Sequence, residues 1–252
     1  MNKIRAKERP KTKIMPNPYF RFKQFTIYQD KCAMKVGTDG VLLGAWSDVG
    51  SGGKMLDVGT GTGLIALMIA QRSPAGSLWA VENEESALEQ AKLNIDNSPF
   101  SDRITLVNSS FQLFARQTAI RFDLIVSNPP FFSDSLLPPV KQRAEARHSV
   151  TLTLEELLYS CRSCLAESGI LSLILPYSRS NELEKLCEKY AFHLKRKTIV
   201  YPLRNTTPKR ILVELTSKQT SRPVTRSLVI EESRHHYTKD FTELVRDFYL
   251  YL

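Results

Sequence analysis

Met55-Leu56-Asp57-Val58-Gly59-Thr60-Gly61-Thr62-Gly63 runs directly into the apolar stretch Leu64 to Ile69. A short β-type segment, a glycine-rich turn and an apolar helical run make one strand–turn–helix unit. In a doubly wound α/β fold that unit cradles a nucleotide. The glycines fall at i, i+2 and i+4, not in the G-x-G-x-x-G spacing of dinucleotide binders, and Asp57 precedes the first of them. Both departures point away from NAD and FAD. With no pyrophosphate to hold, the turn lets the backbone approach an amino-acid moiety and a ribose, and sets Asp57 near a cationic group. Twenty-three residues after Gly59, the strand Leu78 to Val81 ends at Glu82. A carboxylate there is placed to accept from both ribose hydroxyls, as at the roughly 20-residue spacing of the dinucleotide folds. The competing reading is a plain turn and a surface Glu.

The second informative stretch is Asp123-Leu-Ile-Val-Ser-Asn128-Pro129-Pro130-Phe131-Phe132. Two prolines cannot donate backbone hydrogen bonds and hold φ near one value, so the apolar strand must end in a stiff turn. That turn offers the Asn128 amide, the Pro129 carbonyl and the Phe131 ring at a strand's C-terminal end, where ligands bind in open α/β sheets. Two acceptors beside a ring suit a planar substrate with an exocyclic amine. As bare spacing the stretch also fits an ordinary loop.

Asp57-x-Gly59-x-Gly61-x-Gly63 with Glu82 resembles the S-adenosylmethionine site of class I methyltransferases. Asn128-Pro129-Pro130-Phe131 resembles the catalytic turn of those that methylate exocyclic or amide nitrogens. Phe22-Lys-Gln-Phe25, Met34 to Trp46, Arg121 to Pro130 and the closing Phe248-Tyr-Leu250 are similar to the bacterial tRNA(Val) adenine-N6 methyltransferase family, over nearly the whole chain from about residue 20. The resemblance implies a seven-stranded, mostly parallel doubly wound sheet, S-adenosylmethionine as cofactor and tRNA as substrate. It also implies that Thr38 and Asp39, in the turn opened by Gly37 and Gly40, face the methionine end of the cofactor. Where the family carries an acid after the third strand, to accept from the cofactor adenine, this chain has Ser110, a weaker acceptor than a charge-assisted partner. Many relatives carry tyrosine where this chain has Phe131, which keeps the stacking face without the hydroxyl.

Composition agrees. A chain of 252 residues with 42% hydrophobic content suffices for one α/β domain. No run of 18 apolar residues predicts a membrane span, and no apolar stretch follows the basic N-terminus as in a secretory signal. Four scattered cysteines suit a reducing cytoplasm. Cys161 and Cys164 form one C-x-x-C in a helical segment, without a second pair or a nearby histidine; buried helix positions explain them better than zinc or redox chemistry. His148, His193, His235 and His236 have no ligand constellation, so no metal is expected. No obligate protein partner is evident.

Of the net charge of +9, residues 1–35 carry +8. Lys3, Arg5, Lys7, Arg9, Lys11 and Lys13 alternate, and Pro10, Pro16 and Pro18 oppose regular structure. Residues 1–20 therefore read as a basic arm on a single domain, 21–252. Such an arm gains affinity for phosphates through counterion release, or merely solubilises. Ser133 to Arg147 holds Lys141, Arg143 and Arg147 without apolar period and reads as a substrate-gripping loop after the active turn.

Elsewhere strands alternate with helices. Strands are expected near 54–58, 78–82, 103–107, 122–127, 170–175, 194–201 and 210–216, with an optional edge strand at 227–231. Helices are expected near 62–72, 84–96, 154–167, 179–190 and 238–250, with Gly169 as a C-cap. Three functions fit the turn: N6-methylation of the adenine 3′ of the anticodon in a valine tRNA, rRNA guanine-N2 methylation, and glutamine methylation on a release factor. The basic arm argues against the protein substrate, and Phe132 stands where the guanine enzymes often have histidine.

Overall fold

The computed structural model describes residues 17–31, 35–130, 152–220 and 222–251. Strands β3 (Lys54–Val58), β4 (Ser77–Glu82), β5 (Ile104–Asn108), β6 (Phe122–Ser127), β7 (Leu165–Pro176), β8 (His193–Leu203), β9 (Arg210–Thr216), β10 (Val224–Ser233) and β11 (His236–Tyr237) form one nine-stranded sheet in the order β11-β10-β8-β9-β7-β6-β3-β4-β5. The seven expected strands are all present. β10 adds an eighth, parallel to β8, and β11 a ninth, antiparallel to β10. Ahead of the sheet, β1 (Tyr19–Arg21) and β2 (Thr26–Tyr28) make a separate hairpin. β1 begins at Tyr19, two residues inside the stretch assigned to the arm.

The sheet is covered on both faces, which is why its strands are apolar at consecutive positions and do not alternate. Met55, Leu124 and Val126 face one core, together with α1 (Thr38–Trp46), α2 (Leu64–Arg72), part of α3 (Glu85–Asp96), α7 (Lys239–Val245) and the hairpin. Leu56, Val58, Ile125 and Leu173 face the other, with α4 (Phe111–Gln117), α5 (Leu154–Cys164) and α6 (Ser180–Tyr190). α1 is buried over seven residues, Gly40 to Trp46. Its carbonyl end is closed by arginines: Arg72 donates to the Gly44 and Ser47 carbonyls at 3.0 and 2.6 Å, and Arg196 to that of Trp46 at 2.8 Å. Cys161 and Cys164 are fully buried on α5, and burial pushes both thiols up.

Two expected boundaries are corrected. α5 stops at Cys164 and Gly169 is no C-cap, because Leu165 already opens β7. Phe122 pairs with Leu165 but Leu124 with Ile170, so β7 carries extra residues here. A Cβ on Gly169 would lie 2.7 Å from the Phe122 carbonyl oxygen, a close approach that glycine alone permits. The final helix is shorter than expected, ending at Val245. The chain beyond it returns to the hairpin, with Lys23 N–H donating to the Phe248 carbonyl at 2.8 Å and Phe22 bridging Tyr249.

Candidate active site

Three neighbouring strands assemble the site by register. Val58 pairs with Val81 on one side and Ser127 on the other. The residues that follow, Gly59, Glu82 and Asn128, therefore stand level across β3, β4 and β6. From β3 the chain winds outward to β4 and β5, then crosses back to β6 on the opposite side. The gap between β3 and β6 is the topological switch point, where open α/β sheets bind ligands.

The glycine turn holds its own shape. Gly59 and Thr60 N–H groups donate to the Val81 carbonyl at 2.9 and 3.1 Å, and Gly63 N–H to that of Thr60 at 2.9 Å. Gly59 and Gly61 have φ of 70° and 57°, in the left-handed region that favours glycine. A Cβ on either would meet no heavy atom within 4 Å, so the outer face of the turn is open to a ligand. Gly63, at φ 82°, is the N-cap of α2.

Asp57 is fully buried. Its Oδ2 accepts from Thr60 Oγ1 at 2.6 Å and from Ala66 N–H at 3.1 Å, while Oδ1 is buried with no hydrogen-bond partner. Burial pushes its carboxyl up to about 7, against the pull of the Thr60 and Ala66 hydrogen bonds and with a smaller push from Glu82. Its partners among the described residues are a hydroxyl and an amide, so here it acts as the brace between turn and helix.

Glu82 is 9% exposed, not a surface acid. Its Oε2 accepts from Gly61 N–H at 2.9 Å, and Oε1 from the N–H groups of Asn83 and Glu84 at 2.8 and 2.9 Å. A carboxylate offers about four lone-pair sites, so three backbone amides leave about one for a hydroxyl donor unless an amide bond yields. Ser110 is the N-cap of α4, its Oγ accepting from Leu113 N–H at 3.4 Å. Thr38 and Asp39 open α1; Asp39 Oδ2 accepts from Arg210 Nε at 2.8 Å, and Thr38 is exposed.

Asn128 follows β6 half-buried, and its Oδ1 is buried without a partner among the described residues. Pro129 behind it is buried and Pro130 exposed. Ser127 Oγ donates to the Val58 carbonyl at 2.9 Å and so staples the start of this turn to the start of the glycine turn. Phe131, Lys11, Lys13, Lys141, Arg143 and Arg147 lie outside the described residues.

Sequence reasoning missed Asn94. This 1% exposed side chain on α3 donates to the Thr62 carbonyl at 2.8 Å and to that of Tyr28 at 2.9 Å, and accepts from Tyr28 N–H at 2.8 Å. It ties the hairpin to the glycine turn. One turn earlier, Gln90 Oε1 accepts from Lys31 N–H at 2.9 Å. The available signal was a pair of amides four residues apart, which places both on one helix face.

An open glycine turn, a carboxylate level with it and an unsatisfied amide oxygen beside them fit a nucleoside cofactor on one side and an amine substrate on the other. This fold and this pair of turns define a class I methyltransferase. A family model described as the methyltransferase small domain matches residues 36–193. A protein of Parabacteroides distasonis named tRNA1(Val) (adenine(37)-N6)-methyltransferase is 46% identical over 236 residues, 94% of this chain and 99% of its own length. One of the same name from Trichodesmium erythraeum is 45% identical over 234 residues, 92% and 97% of the two chains. The chain thus belongs to the methyltransferase small domain family and, within it, to the family of these adenine-N6 enzymes. Its cofactor is S-adenosylmethionine. A solved structure described as a predicted O-methyltransferase from Agrobacterium tumefaciens superposes with a TM-score of 0.65 at 20% identity, over 83% of this chain and 96% of that one, a likeness of fold alone. Among the described residues no helix is long and apolar enough to cross a membrane, and no three metal-ligating side chains cluster.

Proposed function

We propose that this enzyme methylates N6 of the adenine 3′ of the anticodon, position 37, in a valine tRNA. The observation that carries the reading is the buried, unpartnered Oδ1 of Asn128 at the switch point. An unmet acceptor in such a place costs free energy, and a substrate N–H removes that cost. The names of the relatives favour adenine in tRNA over the guanine and glutamine readings.

S-adenosylmethionine, when bound, supplies an electrophilic methyl group. The glycine turn with Asp57 behind it, Glu82, and Thr38 and Asp39 at the start of α1 are the residues that would hold it, with Ser110 just beyond the end of β5. The N6 lone pair of adenine is delocalised into the ring and is a poor nucleophile. Accepting its two N–H bonds at Asn128 Oδ1 and the Pro129 carbonyl builds electron density on nitrogen and directs the lone pair. Phe131 stacks on the extruded base. Positioning of two reactants supplies most of the acceleration. Residues 21–252 act as one methyltransferase domain in the cytoplasm, while Lys11 and Lys13 of the basic arm, with Lys141, Arg143 and Arg147, grip phosphates.

Nucleoside mass spectrometry after incubating enzyme and cofactor with valine tRNA, rRNA and release factor tests the assignment. N6-methyladenosine is expected in the tRNA, and none when adenine 37 is replaced by guanosine. Methylguanosine in rRNA, or methylglutamine in the factor, would refute it.

A further inference from the structure

Beyond the reacting base, we infer that Tyr177 and Lys209 form a clamp for the tRNA nucleotide next to the target adenine; this rests on the RNA substrate proposed above. Ser127 pairs with Leu173, so Asn128 is level with Ile174 on the adjoining strand β7. Tyr177 stands three residues further out and one strand to the side, on the order of 10 Å from the catalytic amide by strand rise and spacing. That offset suits the neighbour of an extruded base, not the base itself.

Tyr177 opens the 3-10 turn Tyr177–Arg179 that follows β7, and it is 39% exposed. Its ring pairs with no other ring and its hydroxyl with no hydrogen-bond partner among the described residues, unlike Tyr159, whose ring lies against Tyr190. Tyr177 N–H donates to the Lys209 carbonyl at 3.0 Å, and Lys209 N–H to that of Val200 at 2.9 Å, so the two residues are held side by side at the ends of β7 and β9.

Among the described residues, three arginines of this rim are already paired. Arg179 is forked onto Glu182 at 2.5 and 2.7 Å, Arg204 reaches Glu232 at 3.0 Å, and Arg210 turns to Asp39 at 2.8 Å. Lys209 is exposed and forms no ion pair with any described residue. A partly exposed aromatic ring beside an ammonium with no ion pair among the described residues is the chemistry that takes one nucleotide, the base by stacking and the phosphate by charge.

The test is a double-mutant cycle on valine tRNA transcripts carrying an abasic site immediately 5′ or immediately 3′ of the target adenine. Tyr177→Leu should raise KM for intact tRNA roughly 5- to 150-fold, the range for one lost base stack. Tyr177→Phe should restore it, with S-adenosylmethionine affinity unchanged in all variants. With one of the two abasic transcripts Tyr177→Leu should cost nothing further. Lys209→Gln should flatten the slope of log K against log salt by about 0.7–0.9, the value for one phosphate contact. Additive losses with both transcripts, or an unchanged KM, overturn the clamp while leaving the parent reading intact. Failure of the wild-type enzyme to methylate intact tRNA overturns both.

Discussion

Two turns leave the C-terminal ends of adjacent strands, stapled by the Ser127 hydroxyl, and the acceptors they turn toward a ligand are held differently. In the glycine turn both Glu82 oxygens are occupied by backbone amides and Asp57 Oδ2 takes two donors, which leaves Asp57 Oδ1, deep behind the turn, as its one buried carboxylate oxygen without a partner. In the proline turn the one amide oxygen is walled off and left without a donor. The Glu82 carboxylate is fixed by three backbone amides before any ligand arrives, as preorganised binding requires. The proline turn is complete only with substrate in place. Cofactor affinity and chemical rate should therefore respond to different residues.

The largest separation should come from Asn128→Ala. Single-turnover methylation is expected to fall by about 10²- to 10³-fold, the usual loss on removing one transition-state hydrogen-bond partner. Cofactor affinity by calorimetry should hardly move; a parallel loss of both would merge the two turns into one functional unit. Next, Glu82→Ala should weaken S-adenosylmethionine binding by roughly 1.5–3 kcal/mol through lost charge-assisted hydrogen bonds. Once the variant is saturated with cofactor, turnover should recover, and a persistent defect would break the division of labour.

Asp57 sharpens the contrast through pH. Its pKa rises from 3.8 to about 7 on folding, so the folded state holds a proton that the unfolded chain has released. Its contribution is therefore full below about pH 4 and is lost as pH rises to about 7, with a slope of at most about 1.4 kcal/mol per unit. Urea melts should show Asp57→Asn gaining on wild type from pH 4 to 7 and holding a constant advantage above. A gap independent of pH would mean that Asp57 is ionised throughout. The smallest effect belongs to Asn94→Asp, which keeps the acceptor for Tyr28 N–H and loses both donations. Cofactor affinity should drop several-fold with kcat preserved, and Asn94→Ala should be worse; equal kcat losses would place Asn94 outside the cofactor turn.

Much of this was visible in the chain itself, because continuous apolar runs bounded by Gly, Pro and acidic residues leave few options but a doubly covered sheet. Both turns were legible for the same reason: Gly59 to Gly63 and Pro129-Pro130 constrain the backbone locally. What escaped depends on distant partners. Gly169 looked like a helix cap, and only the Phe122 carbonyl, 2.7 Å from where its Cβ would lie, explains it. Asn94 carries no motif, and its partners lie 66 and 32 residues away. Ser110 matched a family position, yet its hydroxyl caps the helix that begins one residue later. The charge state of Asp57 follows from burial, which no spacing reveals.

The closure between hairpin and C-terminal segment sets an order of events during synthesis. Lys23 Nζ donates to the Arg246 carbonyl across a separation of 223 residues. The hairpin strands are made early, and their partners follow only after the rest of the sheet. Asn94 bonds the Tyr28 backbone of that hairpin and the Thr62 carbonyl of the glycine turn, so the hairpin that the C-terminal segment closes is also the outer brace of the cofactor turn. A nascent chain stalled before Arg246 would carry every residue of both turns while the hairpin behind the first still lacked its C-terminal partners.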